Sequence, residues 1–483
     1  MAVGEWGDSM SEKARLVVVA NRVPPLSSMD KPGERTAHAL GGLVTAVRPA
    51  IESRDALWLG WSGTTAGDAS VSGPSVAQVG NLQVATVDLT RTQSNRYYNG
   101  FANQTLWPLL HSFTERVQFS EANYQVYYQV NKLFAETLYP MLRSDDIVWV
   151  HDFHLFLLGQ ELRRLGWDSN IGFFLHVPFP PVEMFTILPW QRQILKGLLA
   201  YDLVGLHAQR YANNLLEALT SEMGGQMSGG VYSRGDDRVK VAAHPIGIDP
   251  PAFERWAAND ELREPSRLLR NISPTHKVIL GVDRLDYTKG VPERLEAFER
   301  FLEKYPSMRE RVTMIQISAP SRSSVPSYVE EKARVEQLVG KINGRFSSAD
   351  WVPIHYLYRT YAQDELAPIF RRTDIGLVTP LRDGMNLVAK EFVAAQDEDP
   401  GVVILSRFCG AAETMGDALI VNPYDLDATA TAIYDALHMP LKERQRRWKA
   451  LHADVTKNTS AAWCEVFLND LAEAKGKKAG APS

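Results

Sequence analysis

Residues 374–391 read DIGLVTPLRDGMNLVAKE. An apolar run from Asp374 to Thr379 stops at Pro380, a polar turn carries Asp383 and Gly384, and an amphipathic stretch begins at Asn386. The spacing predicts strand, loop, helix. Such a unit aims free backbone N–H groups and the positive end of a helix at whatever lies beyond the strand, which is how doubly wound α/β proteins hold phosphates. An anion is therefore the expected guest. Asp383 in the loop and Glu391 on the first turns of the helix add carboxylates, which suit the hydroxyls of a sugar or a ribose. The guest reads as a sugar nucleotide. A lone loop of this kind is more often a solvated turn before a crossover helix, so the rest of the chain has to decide.

Working outward, strand-like runs recur at Leu16–Ala20, Leu82–Thr90, Ile147–Val150, Gly172–Val177, Val239–Ala243, Lys277–Val282, Val312–Ser318, Trp351–Tyr358, Ile375–Thr379, Val402–Leu405 and Ala418–Val421, with helical stretches between. Regular alternation predicts an α/β protein with largely parallel sheets. Polar residues cluster where strands end: Asn21-Arg22, His151-Asp152, Asp283-Arg284 and Ser321-Arg322. Ligands of open α/β sheets bind beyond the carboxyl ends of strands, so the chemistry belongs there. HPIGIDPPAF (residues 244–253) is proline-rich and precedes a second series of strands, which puts a domain boundary between residues 248 and 249. The Gly/Ala/Lys-rich tail, residues 475–483, is expected to lack fixed structure.

A chain of 483 residues exceeds one ordinary core. With 45% hydrophobic and 23% charged residues it has a globular composition. The 52 basic and 57 acidic residues are interspersed, which disfavours nucleic acid or an anionic membrane as a partner. Cys409 and Cys464 have neither metal-site nor redox spacing and read as buried filler in a reducing compartment. No run is apolar enough to span a bilayer and the N-terminus lacks an apolar signal core, so the cytoplasm is the expected location.

Several loops carry chemistry. DRLDYTKG (residues 283–290) follows a strand and precedes a proline-opened helix, and two cations there, Arg284 and Lys289, suit a departing diphosphate. Asn21-Arg22, the pair Gly41-Gly42 before a helical run, and YYNGFANQTLWP (residues 97–108) together suggest a phosphorylated sugar: cation and phenol for the phosphate, aromatic faces for the ring. Trp58 reads as core, and Trp61 as open to either role. His151, Asp152, His154 and His176 lie at strand ends, but adjacent residues of a strand point to opposite faces, so no metal site is expected. His151 and His154 read as ordinary buried histidines bonded to backbone.

NRVP, GGL, WLGWSG, YYNGFANQTLWP, VHDFHL, FFLHVPFPP, GVDRLDYTKG, SAPSR, KINGRF and TPLRDGMNLVAKEF occur in the order found in trehalose-6-phosphate synthases, and the chain resembles that family over roughly residues 15–470. The resemblance implies a retaining glycosyltransferase of GT-B architecture, two facing Rossmann-like domains with a central cleft. It implies an acceptor domain over residues 13–248, a donor domain over 249–460 and a helix over 461–474 crossing back to the first. It implies that Arg22, Tyr98, Trp107, Asp152 and Arg322 hold glucose 6-phosphate, and that Gly41 and Gly42 approach the donor. Arg284 and Lys289 would grip the diphosphate, His176 and Asp383 the glucose hydroxyls, and Glu391 the ribose. Tyr361 and Leu387 would line the nucleotide pocket, with Gly384, Met385, Asn386 and Val388 beside them. Asp152, His176, Arg284, Lys289 and Asp383 form the expected catalytic set. Phe153, Leu206 and Cys409 depart from the commoner residues without removing a charge.

The substrates so implied are a nucleotide-glucose, with UDP-glucose favoured over its GDP and ADP counterparts, and glucose 6-phosphate, with no cofactor and no metal. A glucosylglycerol-phosphate synthase or pseudoglycosyltransferase of the same superfamily, and a silent sugar-phosphate sensor, are the alternatives. A homo-oligomer is left open.

Overall fold

In the computed structural model, residues 14–23, 42–52, 54–66, 73–259, 269, 276–322 and 325–474 are described. Gly41 and the tail from residue 475 lie outside them. The chain divides into two compact units, Met1–Pro245 with Trp463–Ser483, and Ile246–Ala462.

The first unit holds β1 (Leu16–Arg22), β2 (Ala56–Ala66), β3 (Ser75–Val79), β4 (Leu82–Thr90), β5 (Ile147–His151), β6 (Ile171–Leu175), β7 (Leu203–Leu206), β8 (Gln226–Ser228), β9 (Val231–Arg234) and β10 (Asp237–Ala243). They form one sheet in the order β3-β4-β2-β1-β5-β6-β7-β10-β9-β8. Strands from β4 through β10 run parallel, with β3 antiparallel at one edge and the β8–β9 hairpin at the other. Parallel strands covered on both faces need continuous apolar runs, and Leu16–Ala20 and Ile171–Leu175 are buried throughout. β8 is exposed along its length and flanked by glycines at positive φ, so no apolar period announced it.

The second unit holds β11 (Lys277–Arg284), β12 (Val312–Ala319), β13 (Ile354–Leu357), β14 (Ile375–Val378), β15 (Val402–Ser406) and β16 (Leu419–Val421). All are parallel, in the order β13-β12-β11-β14-β15-β16. The strand expected over Trp351–Tyr358 is shorter, because Trp351 turns inward and its indole N–H donates to the Val312 carbonyl at 3.1 Å. In both sheets the strand order reverses beside the first strand, between β1 and β5 and between β11 and β14. These switch points are where doubly wound sheets open a crevice.

The division after Pro245 falls three residues before the expected one, between 248 and 249. The Ile246 carbonyl accepts from the buried Lys390 ammonium at 2.7 Å and the Ile248 carbonyl from Ser460 N–H at 2.9 Å, which ties this stretch to the second unit. A side chain at Gly247 would meet the Asn458 carbonyl oxygen at 1.8 Å.

The last helix, Ser460–Glu473, lies against the first unit's sheet from Trp463 onward. The Phe467 ring stacks on Trp149 at 4.6 Å, over strands kept bare by Gly172 and Gly205, where a Cβ would come within 2.9 Å and 2.8 Å of that ring. His244 and Asp470 pair at 2.9 Å alongside. No helix among the described residues is long and apolar enough to cross a membrane. Replacing the fully buried Phe467 by alanine is expected to cost about 3–5 kcal/mol of stability. A denaturant titration followed by tryptophan fluorescence checks this, and a loss below about 1 kcal/mol would remove the helix from the unit's core.

Candidate active site

At the carboxyl end of β1 the Arg22 guanidinium lies over the Trp61 ring, 4.6 Å from its centroid. Gly63, at φ +90°, leaves room for it, since a Cβ there would sit 1.9 Å from the Arg22 terminal nitrogen. Trp61 meets Tyr98 edge-on at 5.8 Å, and Tyr98 stacks on His154 at 5.8 Å. The buried Tyr97 hydroxyl donates to Asn21 Oδ1 at 2.8 Å, fixing the residue beside Arg22. Burial holds the Tyr97 phenol well above its ordinary pKa, so it stays a donor. The strand end therefore presents a cation framed by aromatic rings.

Tyr98 belongs to a π-helix, Ser94–Leu106, whose last wide turn closes with Trp107 N–H donating to the Ala102 carbonyl. With i→i+5 hydrogen bonds, residues nine apart are separated by about two turns, whereas in an α-helix they lie about half a turn out of phase. Both Tyr98 and Trp107 accordingly face the segment after β5, Tyr98 against His154 and Trp107 at 5.7 Å from Phe153. Trp107 is only 4% exposed and also packs on His111. Its ring is largely core, so what it offers a ligand is an edge.

Asp152, after β5, takes φ +75°, a conformation that side chains rarely adopt and that concentrates at functional sites. Its Oδ1 accepts from His176 N–H at 3.2 Å and its own N–H donates to Phe174 O at 2.8 Å, binding the ends of β5 and β6 together. His176 Nε2 lies 3.1 Å from His151 Nδ1. His151 thus differs from the expected backbone-bonded histidine: its partner is a second imidazole. Burial brings His176 down to about 3, and burial with the neighbouring ring takes His151 well below the ordinary value, so both are neutral at physiological pH.

In the second unit Arg284 stands exposed at the end of β11. Lys289 closes the short turn that follows, and Gly290, at φ +62°, lets the chain pass Thr379, whose carbonyl oxygen would lie 2.5 Å from a Cβ there. The Lys289 ammonium donates to Asp383 Oδ2 at 2.5 Å, and Asn386 Nδ2 donates to the same oxygen at 3.1 Å. The expected split, cation on the diphosphate and carboxylate on the sugar, is therefore built as one ion pair. Asn386, at φ +82°, caps the Leu387–Ala395 helix by accepting from Ala389 N–H at 3.3 Å. Gly384 and Met385 are buried beneath this turn, stitched to the next loop by Ala411 N–H on Met385 O at 2.9 Å, while Leu387 and Val388 are part-buried at the helix start.

Glu391, one turn on, is 6% exposed and accepts from Gln363 Nε2 at 2.9 Å. Burial pushes its carboxyl up to about 7. Tyr361 lies part-buried under the Arg359 guanidinium, 5.6 Å from its ring centroid. Arg322, at φ +43°, donates to Asp286 Oδ2 at 3.3 Å and to the Tyr328 hydroxyl. Burial raises Asp286, but Arg322 and Arg284 with Thr288 N–H outweigh it and keep the carboxyl below its ordinary value. Among the described residues no three or more His, Cys, Asp or Glu gather as a metal site.

Sequence reasoning overlooked Arg294 and Gln363, which carry no motif of their own, and gave no role to Asp286 within residues 283–290, which binds Arg322 and Thr288 N–H. It also took the chain to lack an Asp-x-Asp-x-Thr phosphatase pattern, which Asp425-Leu-Asp427-Ala-Thr429 in fact spells. Here these residues start a helix: Asp425 accepts from Ala428 N–H at 2.9 Å, Thr429 donates back to the Asp425 carbonyl at 2.9 Å, and Asp427 pairs with Arg300 on the surface.

Residues 14–473 match the family described as glycosyltransferase family 20. The chain is 42% identical over 461 residues to the trehalose-6-phosphate synthase of Sinorhizobium fredii, covering 95% of this chain and 98% of that one. Among solved structures it resembles a UDP-forming α,α-trehalose-phosphate synthase from Burkholderia xenovorans in complex with glucose 6-phosphate, at 38% identity and a TM-score of 0.89, covering 95% of this chain and 100% of that one. An E. coli trehalose-6-phosphate structure bound with UDP-2-fluoro glucose is similar at 39% identity and a TM-score of 0.89, covering 95% and 99%.

A raised Glu391 pKa has a definite sign in stability. The ionised form is disfavoured by folding, so the cost is absent below about 4.5, grows as pH rises, and is complete above about 7. Glu391→Gln, which keeps an acceptor for Gln363, is expected to stabilise the free protein by about 3 kcal/mol at pH 8 and by little at pH 4.5. Denaturant midpoints at the two pH values check it; an equal gain at both would show that ionisation is not the cause.

Proposed function

The chain belongs to glycosyltransferase family 20, and from that premise we propose that it transfers glucose from UDP-glucose to glucose 6-phosphate with retention, yielding α,α-trehalose 6-phosphate and UDP. The observation that carries this reading is the Lys289–Asp383 pair at the switch point of the second sheet, beside the start of the Leu387–Ala395 helix. A cation on one strand-end loop, with a carboxylate and a helix N-terminus on the neighbouring one, matches the two halves of a sugar nucleotide, diphosphate and hydroxyls. UDP-2-fluoro glucose and glucose 6-phosphate, the ligands named for two similar structures, support the same assignment. GT-B architecture agrees with the two Rossmann-like sheets of this chain.

Arg284 and Lys289 stabilise the diphosphate as it leaves. Arg22, framed by Trp61 and Tyr98, takes the acceptor phosphate, and Asp152 holds its sugar. Asp383 and the neutral His176 hydrogen-bond the donor glucose, and Glu391 binds the ribose. Asp383 is paired with the Lys289 ammonium and bonded by Asn386, which lowers its basicity and suits it to orient a hydroxyl rather than to attack. The acceptor's anomeric hydroxyl instead attacks the donor's anomeric carbon on the face the diphosphate leaves. One C–O bond forms as the other breaks, and the hydroxyl proton passes to the departing phosphate oxygen. The enzyme's part is to position the reactants and stabilise charge, with the two cations in place of a divalent metal.

A coupled assay that follows UDP release from UDP-glucose and glucose 6-phosphate tests the activity, and no acceptor-dependent release would refute it. Activity is expected to survive saturating EDTA, while Lys289→Ala is expected to lose most of it. Complete loss in EDTA restored by magnesium would overturn the two-cation account. Arg22→Ala is expected to raise the acceptor KM about 10- to 100-fold with the donor KM little changed, as befits a charge-assisted hydrogen bond of roughly 1.5–3 kcal/mol.

A further inference from the structure

The Leu387–Ala395 helix has a neighbour, Gln363–Arg371, joined to it at both ends. At the far end Arg371 Nε donates to the Ala395 carbonyl at 2.8 Å, and Phe370 meets Phe392 edge-on at 6.0 Å. At the near end Gln363 Nε2 donates to Glu391 Oε1 at 2.9 Å. Gln363 is the first residue of its helix, and that start is fixed by Glu365, whose carboxylate accepts from Ala362 N–H at 2.8 Å. Gln363 therefore reaches Glu391 from a backbone that has little freedom, two residues after Tyr361.

Charged groups near Glu391 have other partners: Glu365 holds Ala362 N–H and Arg371 the Ala395 carbonyl. Lys390 donates to Ile246 O at 2.7 Å and has Asp454 as its nearest counter-charge; Glu254 and His452 pair at 3.0 Å; Lys289 is on Asp383. Among the described residues the side chain bonded to the Glu391 carboxylate is the neutral amide of Gln363. A neutral donor occupies one oxygen and leaves the other as an acceptor. A cation in its place would neutralise the carboxylate, and an apolar residue would leave it without a donor.

We propose that Gln363 is a positioning and specificity-determining residue for the nucleotide: by holding Oε1 of Glu391 it directs Oε2 to the ribose hydroxyls and so sets the preference for a ribonucleotide over a 2′-deoxyribonucleotide donor. This rests on the reading above that Glu391 binds the ribose. The Gln363 amide also favours the ionised form of Glu391 against the burial that raises it. Removing the amide leaves the carboxyl protonated to higher pH, where it accepts less well from a hydroxyl.

The test is titration calorimetry of the full chain with UDP-glucose and 2′-deoxy-UDP-glucose from about pH 5.5 to 8.5, a range in which a diphosphate diester does not titrate. Wild type, Gln363→Met and Glu391→Gln are compared. In the wild type UDP-glucose affinity is expected to rise with pH through about 7, with the deoxy donor bound several-fold more weakly above that point. Gln363→Met is expected to move this midpoint upward by about half a unit or more and to reduce ribose discrimination at pH 7 about 3- to 10-fold, with the glucose 6-phosphate KM unchanged. Gln363→Met with wild-type midpoint and discrimination, while Glu391→Gln loses both, would overturn the proposal and leave the ribose role of Glu391 standing. Undiminished discrimination in Glu391→Gln would overturn both.

Discussion

The strand-end loops of the second unit are organised around the buried guanidinium of Arg294. Arg294 is 1% exposed, and its guanidinium donates to Asp283 at 2.5 Å, to Thr379 Oγ1 at 2.9 Å, to Gln316 Oε1 at 3.0 Å and to the Lys289 carbonyl at 3.4 Å. Asp283 and Thr379 sit at or next to the ends of β11 and β14, Gln316 lies within β12, and the Lys289 carbonyl is on the turn that follows β11. A buried ion pair adds little stability by itself, because desolvation offsets attraction, but leaving one member unpaired is costly. Asp283 shows the tension: burial raises its carboxyl even with Arg294 in contact. What the network specifies is geometry. It holds Arg284 beside Asp283, Lys289 before Gly290 and the loop after Thr379 in one fixed relation, so the anion grip exists before any anion arrives. Gly281 is part of the device, since a Cβ there would meet Gln316 Oε1 at 2.3 Å and an Arg294 nitrogen at 2.6 Å.

The first unit reaches its geometry by other means. Among the described residues of its site, rings and backbone bonds rather than a buried cation locate Arg22, Tyr98, Asp152 and His176. Aromatic packing is stiff because few torsions move each ring, so Trp61, Tyr98 and His154 form a wall whose position follows from the sheet behind it. The left-handed backbone at Asp152 is the strained point, held by bonds from both sides to β6.

Much of this was legible in the residues. Continuous apolar runs announced the central strands, and polar pairs after them marked Arg22, Asp152, Arg284 and Arg322 as strand-end residues, because parallel strands must be apolar and their carboxyl ends must not be. What stayed hidden depends on contacts between distant residues. Lys289 and Asp383 lie 94 positions apart, and only the adjacency of β11 and β14 makes them partners. The π-helix carries no period that distinguishes YYNGFANQTLWP from an α-helix, so the shared direction of Tyr98 and Trp107 could not be read. Gln363 and His151 looked ordinary because a hydrogen bond to a functional side chain leaves no local pattern. The phosphatase spelling at Asp425 shows the converse, a local pattern with no site behind it: aspartate and threonine are equally good residues for starting a helix.

The two units also divide the electrostatic labour. His176 and His151 are neutral, and neutral imidazoles can orient hydroxyls without attracting a phosphate from bulk solvent. Lys289 is a cation already answered by Asp383 of the neighbouring loop, so in the free protein its charge is largely cancelled by that carboxylate. A diphosphate that binds there must compete with a carboxylate for the ammonium, and a sugar hydroxyl that binds Asp383 lowers that competition by donating to the oxygen Lys289 would otherwise saturate. Sugar hydroxyl and diphosphate would therefore help each other to bind, most strongly when one molecule carries both. On the roles proposed for Lys289 and Asp383, their ion pair favours a sugar nucleotide over either free sugar or free phosphate.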